Sequence, residues 1–360
     1  MRIGIAGTGA IGLATAAWLS QGEHGGHAVT VWSPRASSSR LDAKGLRKVP
    51  LSSTGLLQTE TRVAVADNAA ALAADADVLL IAVPVNGHRH VMDALLPHLR
   101  DGQTVIISAM GSLSALYLFE AARARGVDVT VASLGTTVLT ARREVPAQVR
   151  IMTRRGALDL SALPVSRRDA AVKLCTALFG EGFSAQTNAL ATALSNTNPV
   201  AHVPLALFNW TRIERAENWP QYHCMTPHVA AVIEQLDAER LALARAFGMN
   251  VRSIEQHFAQ SFATQSSTLA DIAAELHAKR GGPPGPTDVN SRYMTEDIPY
   301  GLVFCAALGR MAVVPMPATQ TLIDTASLIT GRDFSADNDL LEPLGIASDS
   351  APGLLARVNC

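Results

Sequence analysis

The apolar residues of this chain fall into two regimes. Over the first half, compact apolar runs alternate with stretches at helical spacing; over the second, only the helical spacing persists. The runs at 2–6, 28–32, 62–65, 77–83, 104–108, 127–132 and 148–152 read as buried strands. Between them, 13–19, 68–74, 87–99, 112–125 and 167–179 read as helices. Strands alternating with helices in this way predict a largely parallel sheet closed by crossover helices.

From about Asn188 the strand signal stops. The first helical stretch, 195–209, is apolar but carries Asn198, His202 and Asn209, which at helical spacing share one narrow face. Pro199 and Pro204 each remove a backbone donor, so a helix here carries a local cost and a kink. Thr226-Pro227 has the form of an N-cap followed by proline at the first helical position, and Gly248 closes the long helix that follows. Its charges, among them Asp237 and Arg240, read as a solvated face with helical pairs. The 281–286 stretch, Gly-Gly-Pro-Pro-Gly-Pro, is a loop, expected to be mobile and near the cleft. A dense polar stretch, 290–301, precedes an apolar helix at 302–311; the helices at 317–330 and near Leu340 read as packing elements.

The chemistry begins at the first strand. Gly7-Thr8-Gly9-Ala10-Ile11-Gly12 joins that strand to the first helix, which is the context a dinucleotide fingerprint requires. Gly7 permits the tight turn, Gly9 lets the backbone approach a pyrophosphate, and Gly12 lets the helix pack. The phosphates then meet free N–H groups at the helix N-terminus. The expected fold class is therefore α/β: a Rossmann-type dinucleotide-binding domain over 1–187, followed by an all-α domain over 188–360. Val83 and Pro84, at the C-terminal end of a strand, join the expected cofactor site, because ligands of open α/β sheets bind there. His88, just beyond, reads as a loop residue lining the nicotinamide half rather than as the acid/base.

The end of the second strand discriminates between cofactors. NAD enzymes usually place Asp or Glu there for the ribose hydroxyls. This chain has Ser33-Pro34-Arg35, with Arg40 close behind. A hydroxyl and a guanidinium suit a 2′-phosphate, so NADP(H) is expected over NAD(H); the bland alternative is that both arginines are solvated loop residues.

Composition narrows the field. The chain has 360 residues, 48% hydrophobic and 17% charged, with a net charge of −1. That profile suits a compact protein and offers no basic field for nucleic acid or anionic membrane. The cysteines Cys175, Cys224, Cys305 and Cys360 are scattered, which fits a reducing cytoplasm and no structural metal. His88 with His90, or His223 with Cys224 and His228, supply no ligand set. Three glycines interrupt the apolar N-terminus, against a signal peptide, and no stretch is long and charge-free enough to span a bilayer.

Hydride chemistry needs a proton donor for the heteroatom and usually a cation for a substrate carboxylate. Taken alone, His202 reads as a core histidine bonded to an asparagine, and Asp297 as a helix cap. Taken with the cofactor fold, His202 offers the proton, Asp297 can fix its tautomer, and Arg292 can clamp a carboxylate.

At these residues the chain resembles the opine (octopine/nopaline) dehydrogenases. The resemblance runs over essentially the full length. It rests on Asn198-x-x-x-His202 and Arg292-Tyr-x-x-Glu-Asp297-x-x-x-Gly301, with the glycine fingerprint less specific. It implies that His202 is the general acid/base, Asp297 its partner, Arg292 the 2-oxo acid clamp and Asn198 an orienting neighbour. It further implies condensation of a 2-oxo acid, commonly pyruvate, with the amino group of an amino acid or amine, reduction of the imine by NAD(P)H, and a homodimer. The norvaline-type bacterial members carry an acid where this chain has Ser33. A ketopantoate-reductase-like or glycerol-phosphate-dehydrogenase-like enzyme would instead need a catalytic lysine, and no Lys lies between Lys173 and Lys279. A silent NADP(H) sensor would have no use for the His202, Arg292 and Asp297 set.

Overall fold

The first helix explains the architecture of the N-terminal half. In the computed structural model, which describes residues 1–21, 23–34, 48–262 and 264–360, α1 (Ala10–Gln21) is buried almost all round. Leu13, Ala14, Ala16, Ala17 and Leu19 have no exposure at all. A helix apolar on every side has to be covered on every side. Strands β1 (Arg2–Ala6) and β2 (Ala28–Trp32) pack against it. It packs also against β3 (Lys48–Gly55), β4 (Thr59–Val65), β8 (Leu139–Val145) and β9 (Gln148–Arg154).

All of these belong to one 11-stranded sheet, which also contains β5 (Val78–Ile81), β6 (Thr104–Ile107), β7 (Thr130–Leu134), β10 (Leu158–Leu163) and β11 (Phe183–Ala185). Its order is β11-β10-β7-β6-β5-β1-β2-β4-β3-β9-β8. The central run, β4 through β7, is parallel throughout, with Ile5 opposite Val31 on one flank and Leu80 on the other. This is the doubly wound arrangement that puts ligands at the carboxyl ends of the central strands. The helices of this half are α2 (Ala69–Asp75), α3 (His88–Leu95), α4 (Ser114–Ala124), α5 (Arg168–Phe179) and α6 (Ala189–Leu194).

Four strands, β3, β8, β10 and β11, were not expected. β3 carries Pro50 and a Ser-Ser-Thr run, while β8 is charged and mostly exposed. Both lie outside the central parallel run, in a mixed extension where β3 pairs antiparallel with β4 and parallel with β9, β8 pairs antiparallel with β9, and apolar patterning is weak.

The chain divides into two compact units, Met1–Ala193 with Arg357–Cys360, and Leu194–Ala356. The division thus falls six residues beyond the expected 187/188, and the last four residues return to the first unit. Arg357 there grips Glu120 with two 2.7 Å bonds, and the Cys360 carbonyl accepts from the Val165 amide.

The second unit contains α7 (Asn198–Leu207), α8 (Trp210–Glu214), α9 (Pro227–Ala246), α10 (Ile254–Phe262) and α11 (Leu269–Arg280). It continues with α12 (Arg292–Thr295), a π-helical turn (Ile298–Val303), α13 (Phe304–Ala312), α14 (Pro317–Thr330) and most of α15 (Ala351–Val358). No helix forms near Leu340; turns occupy that stretch. α9 also departs from its sequence reading. Asp237 and Arg240 are buried, not solvated, with two bonds between them of 2.8 and 2.6 Å. Arg240 also donates to the carbonyls of Leu194 and Arg252, and Asp237 accepts from the Ile254 amide. A buried pair needs such extra partners, because Coulomb attraction alone rarely offsets desolvation.

Candidate active site

At the glycine loop, Gly7 adopts φ +137, and a Cβ there would lie 2.3 Å from the Ala82 carbonyl oxygen. A Cβ on Gly12 would meet the Gly7 carbonyl at 2.1 Å, so the start of α1 seats directly on the loop. At Gly9 a Cβ would meet nothing within 4 Å. The open side of the loop is therefore its middle, as a bound pyrophosphate requires. Thr8 supplies an independent sign: its hydroxyl is buried and has no hydrogen-bond partner among the described residues. A buried unsatisfied hydroxyl calls for an explanation, and a phosphate oxygen would satisfy it. Ala10 and Ile11 begin α1, and the N–H groups of a helix's first turn have no intrahelical acceptors. The loop fits an anionic dinucleotide.

Ser33 is buried just past β2, Val83 is half-buried and Pro84 exposed just past β5. Arg35 and Arg40 lie outside the described residues. His88 is not a loop residue but the first residue of α3, with no exposure. Its Nε2–H donates to the Val83 carbonyl at 3.2 Å, and the Ser114 hydroxyl donates to its Nδ1 at 3.0 Å. With both nitrogens used, burial pushes its pKa down to about 4. It is a neutral structural histidine that holds Val83 in place.

The second cluster forms within the helical unit. Asn198 opens α7 and Pro199 follows in its first turn, where its missing N–H costs nothing. Pro204 sits inside the helix and removes one ladder bond. Asn209 lies beyond the end of α7, where its side chain donates to the Leu205 carbonyl at 3.0 Å. It caps the helix and does not extend the face of Asn198 and His202. The Asn198 backbone amide donates to Asn196 Oδ1 at 3.0 Å, while its side-chain carboxamide makes no hydrogen bond within the described residues.

His202 Nδ1 donates to Asp297 Oδ2 at 2.8 Å, across 95 residues of sequence, and each residue is only 8% exposed. Asp297 therefore spends its carboxylate on the imidazole and makes no side-chain cap. Its position depends on the π-turn: the Leu302 amide donates to the Asp297 carbonyl five residues back, at 3.0 Å. Such turns insert an extra residue per turn and are often found at functional sites. Gly301 then brings α7 and the π-turn together, because a Cβ there would fall 2.3 Å from the Pro199 ring. That is the physical reason for glycine at the end of the Arg-Tyr-x-x-Glu-Asp-x-x-x-Gly stretch.

Burial pushes His202 below the usual imidazole range; Asp297 opposes this, while the Arg292 charge adds to it. The resting imidazole is therefore neutral at pH 7, with Nδ1–H fixed by Asp297 and the Nε2 lone pair left over. Arg292, at the start of α12, is exposed, and its guanidinium forms no ion pair or hydrogen bond within the described residues. An unpaired guanidinium beside an acid/base pair can receive a carboxylate in fork geometry.

Sequence reasoning overlooked one member. The Tyr293 ring lies flat against His202, with centroids 3.9 Å apart and planes 3° from parallel. Its hydroxyl donates to Gln221 Oε1 at 2.9 Å. Only its place between Arg292 and Asp297 could have drawn attention to it. Among the described residues, no group of three His, Cys, Asp or Glu could hold a metal, and no helix is long and apolar enough to cross a membrane.

Comparison with known proteins agrees with this layout. Residues 185–330 match the family "NAD/NADP octopine/nopaline dehydrogenase, alpha-helical domain", and residues 3–164 match "Ketopantoate reductase PanE/ApbA". The chain is 32% identical to an opine dehydrogenase from Arthrobacter sp. (strain 1C) over 287 residues, 79% of each chain. The fold superposes on octopine dehydrogenase with NADH and L-arginine at TM-score 0.80 and 18% identity, covering 99% of this chain and 98% of that one. It also superposes on yersinopine dehydrogenase with bound NADP+, at TM-score 0.72 and 18% identity, covering 100% and 98%. With a dinucleotide loop in one unit, a His–Asp pair beside an unpaired arginine in the other, and a relative at this identity over four-fifths of the length, the chain belongs to the octopine/nopaline dehydrogenase family.

Proposed function

We propose that this opine dehydrogenase condenses a 2-oxo acid with the amino group of an amino acid and reduces the imine with NADPH. His202 is the acid/base, and the observation that carries this is its 2.8 Å bond to Asp297 within the motif that also holds Arg292. Pyruvate is the first 2-oxo acid to test, since octopine dehydrogenase, which shares this fold, has been solved with it.

Arg292 holds the 2-oxo acid by its carboxylate, and Asn198, one turn before His202, orients the substrate. The neutral His202 Nε2 accepts a proton from the ammonium form of the amino donor, freeing the amine to attack the carbonyl carbon. The resulting imidazolium, balanced by Asp297, returns that proton to the carbinolamine hydroxyl, which leaves as water and yields the protonated imine (iminium), ready for hydride at carbon with no further proton. The bound dinucleotide supplies the hydride that reduces the imine carbon. The proton is carried and returned by one group, so the site needs no second acid. Such help is typically worth about 10²–10⁴-fold in rate.

The preference for NADPH rests on Ser33-Pro34-Arg35, where a carboxylate against the 2′-phosphate is missing. Both NADH and NADP+ occur among structural neighbours. The deciding experiment is a screen of 2-oxo acids against amino acids and amines with both cofactors. His202→Ala should lose most turnover in the best pair while still binding NADPH. Near-normal turnover would remove His202 from the mechanism. Ser33→Asp with Arg35→Ala should move preference toward NADH, and unchanged selectivity would refute the 2′-phosphate reading.

A further inference from the structure

We infer that Tyr293, anchored by Gln221, is a positioning residue whose ring sets the plane of the His202 imidazole and stabilises its protonated form. The inference rests on the reading of His202 as the proton carrier. Neutral aromatic rings prefer offset or edge-on pairs at about 4.5–7 Å between centroids. The observed pair is closer and face to face, at 3.9 Å and 3°. That arrangement is poor for two neutral rings and favourable for a cation over a π face. The geometry therefore suits imidazolium, the form His202 takes after accepting the amine's proton.

The ring is held from behind. Gln221, buried, takes the Tyr293 hydroxyl bond, and its own backbone is tied into the 281–286 loop. Pro220 bridges Pro284 in antiparallel fashion, and the Gln221 amide donates to the Pro283 carbonyl. The Gly285 amide donates to the Trp219 carbonyl at 2.9 Å, while the Trp219 indole donates to the Pro286 carbonyl at 3.0 Å. Gly282 and Gly285 lie so close under Tyr222 and Trp219 that a Cβ would overlap the rings. This loop, expected from its composition to be mobile, is instead a strap that fixes Gln221. The phenol itself stays protonated, since burial pushes it up to about 12.

The charged groups acting on the imidazole are Asp297 and Arg292. Helices α9 and α14, also packed against α7, add none within the described residues. Asp297 touches Nδ1 in the ring plane, and Arg292 opposes protonation. Tyr293 acts from the face, so its contribution can be varied without touching either.

The test keeps the ring's shape and alters its electrons. Phenylalanine (Tyr293→Phe) and its difluoro and trifluoro analogues are installed at position 293 in the full-length protein. The imidazole is titrated by NMR of labelled histidine, with the His202 signal assigned by its loss in His202→Asn. The His202 pKa should fall progressively with fluorination, by about half to one pH unit over the series. The pH limb of kcat/KM should follow it. A flat titration series overturns the inference, because shape alone is conserved throughout. A falling titration with an unmoved kinetic limb leaves the stacking role standing and refutes His202 as the acid/base. The signals of the other histidines report whether each variant is folded. Gln221→Leu, which frees the hydroxyl but leaves the ring, should lower kcat with little change in the KM for NADPH; a lower kcat with a comparably raised KM for NADPH would mark Gln221 as merely structural.

Discussion

Replacing Asp297 by asparagine isolates the carboxylate's contribution to proton transfer. The substitution keeps size and a carbonyl oxygen that can still accept the Nδ1–H, so the resting site should change little. At rest the imidazole is neutral, because burial holds its pKa below the ordinary value. The penalty appears only when Nε2 takes a proton and the cation has lost its partner at 2.8 Å. Removing one member of a buried pair costs about 3–5 kcal/mol. At about 1.4 kcal/mol per tenfold, that predicts a fall in kcat of about 10²–10⁴. The assay is NADPH oxidation at 340 nm with the best substrate pair from the screen. Dinucleotide affinity, measured separately, should remain within about twofold, and the melting temperature should move little. A variant with kcat within threefold of wild type would show that the carboxylate does not support the cation. A parallel loss of dinucleotide binding would point to collapse of the site instead.

Three further outcomes are expected. Arg292→Leu should raise the KM for the 2-oxo acid by about tenfold or more, the worth of a charge-assisted bond of about 1.5–3 kcal/mol, with NADPH affinity unchanged; an unaltered KM would remove Arg292 from carboxylate binding. Gly301→Ala should destabilise the protein by about 1–3 kcal/mol by driving a methyl into Pro199, and should lower kcat by separating α7 from Asp297; thermal melts and turnover together check this, and an unshifted melt refutes the close contact. For His88, the folded pKa of about 4 lies below the unfolded value of 6.5, so between these values the unfolded chain binds more protons. Its contribution is therefore complete above pH 6.5 and is lost on acidification through pH 4. The full effect is about 3 kcal/mol. Melts of wild type and His88→Asn over pH 4–7 should converge toward low pH; curves that stay parallel would exclude the buried neutral histidine as the cause.

Much of the site was legible because two of its parts are local. The glycine loop is contiguous, and its need for glycine follows from backbone approach alone, at the Ala82 carbonyl for Gly7 and the Gly7 carbonyl for Gly12. Asn198 with His202, and Arg292 with Asp297, each fall within one turn or two, so motif spacing exposes them. What spacing could not expose was contact between segments. The Tyr293 ring meets His202 from another helix, and nothing in an Arg-Tyr pair signals stacking. Asp237 and Arg240 show the converse. An acid and a base three residues apart look the same on a wet face and in a core, and only the partners at Leu194, Arg252 and Ile254 decide between them. The 281–286 loop misled because Gly and Pro report the absence of regular structure, which is not the absence of order. Asn209 misled because helical phase was carried past Leu207, where the helix stops.

The π-turn between Ile298 and Val303 also bears on how this enzyme can change over time. A continuous α-helix from Arg292 to Ala312 would lock Asp297 and the core-facing side chains of α13 into one rotational phase. The surplus residue breaks that phase, so the carboxylate answers to His202 while Phe304, Ala306 and Leu308 answer to the core. Deleting one residue of the turn would restore a regular helix and swing one partner about 100° around the axis relative to the other. Sequence drift in α13 can therefore proceed without turning the acid away from its base, whereas a change of length in those six residues cannot.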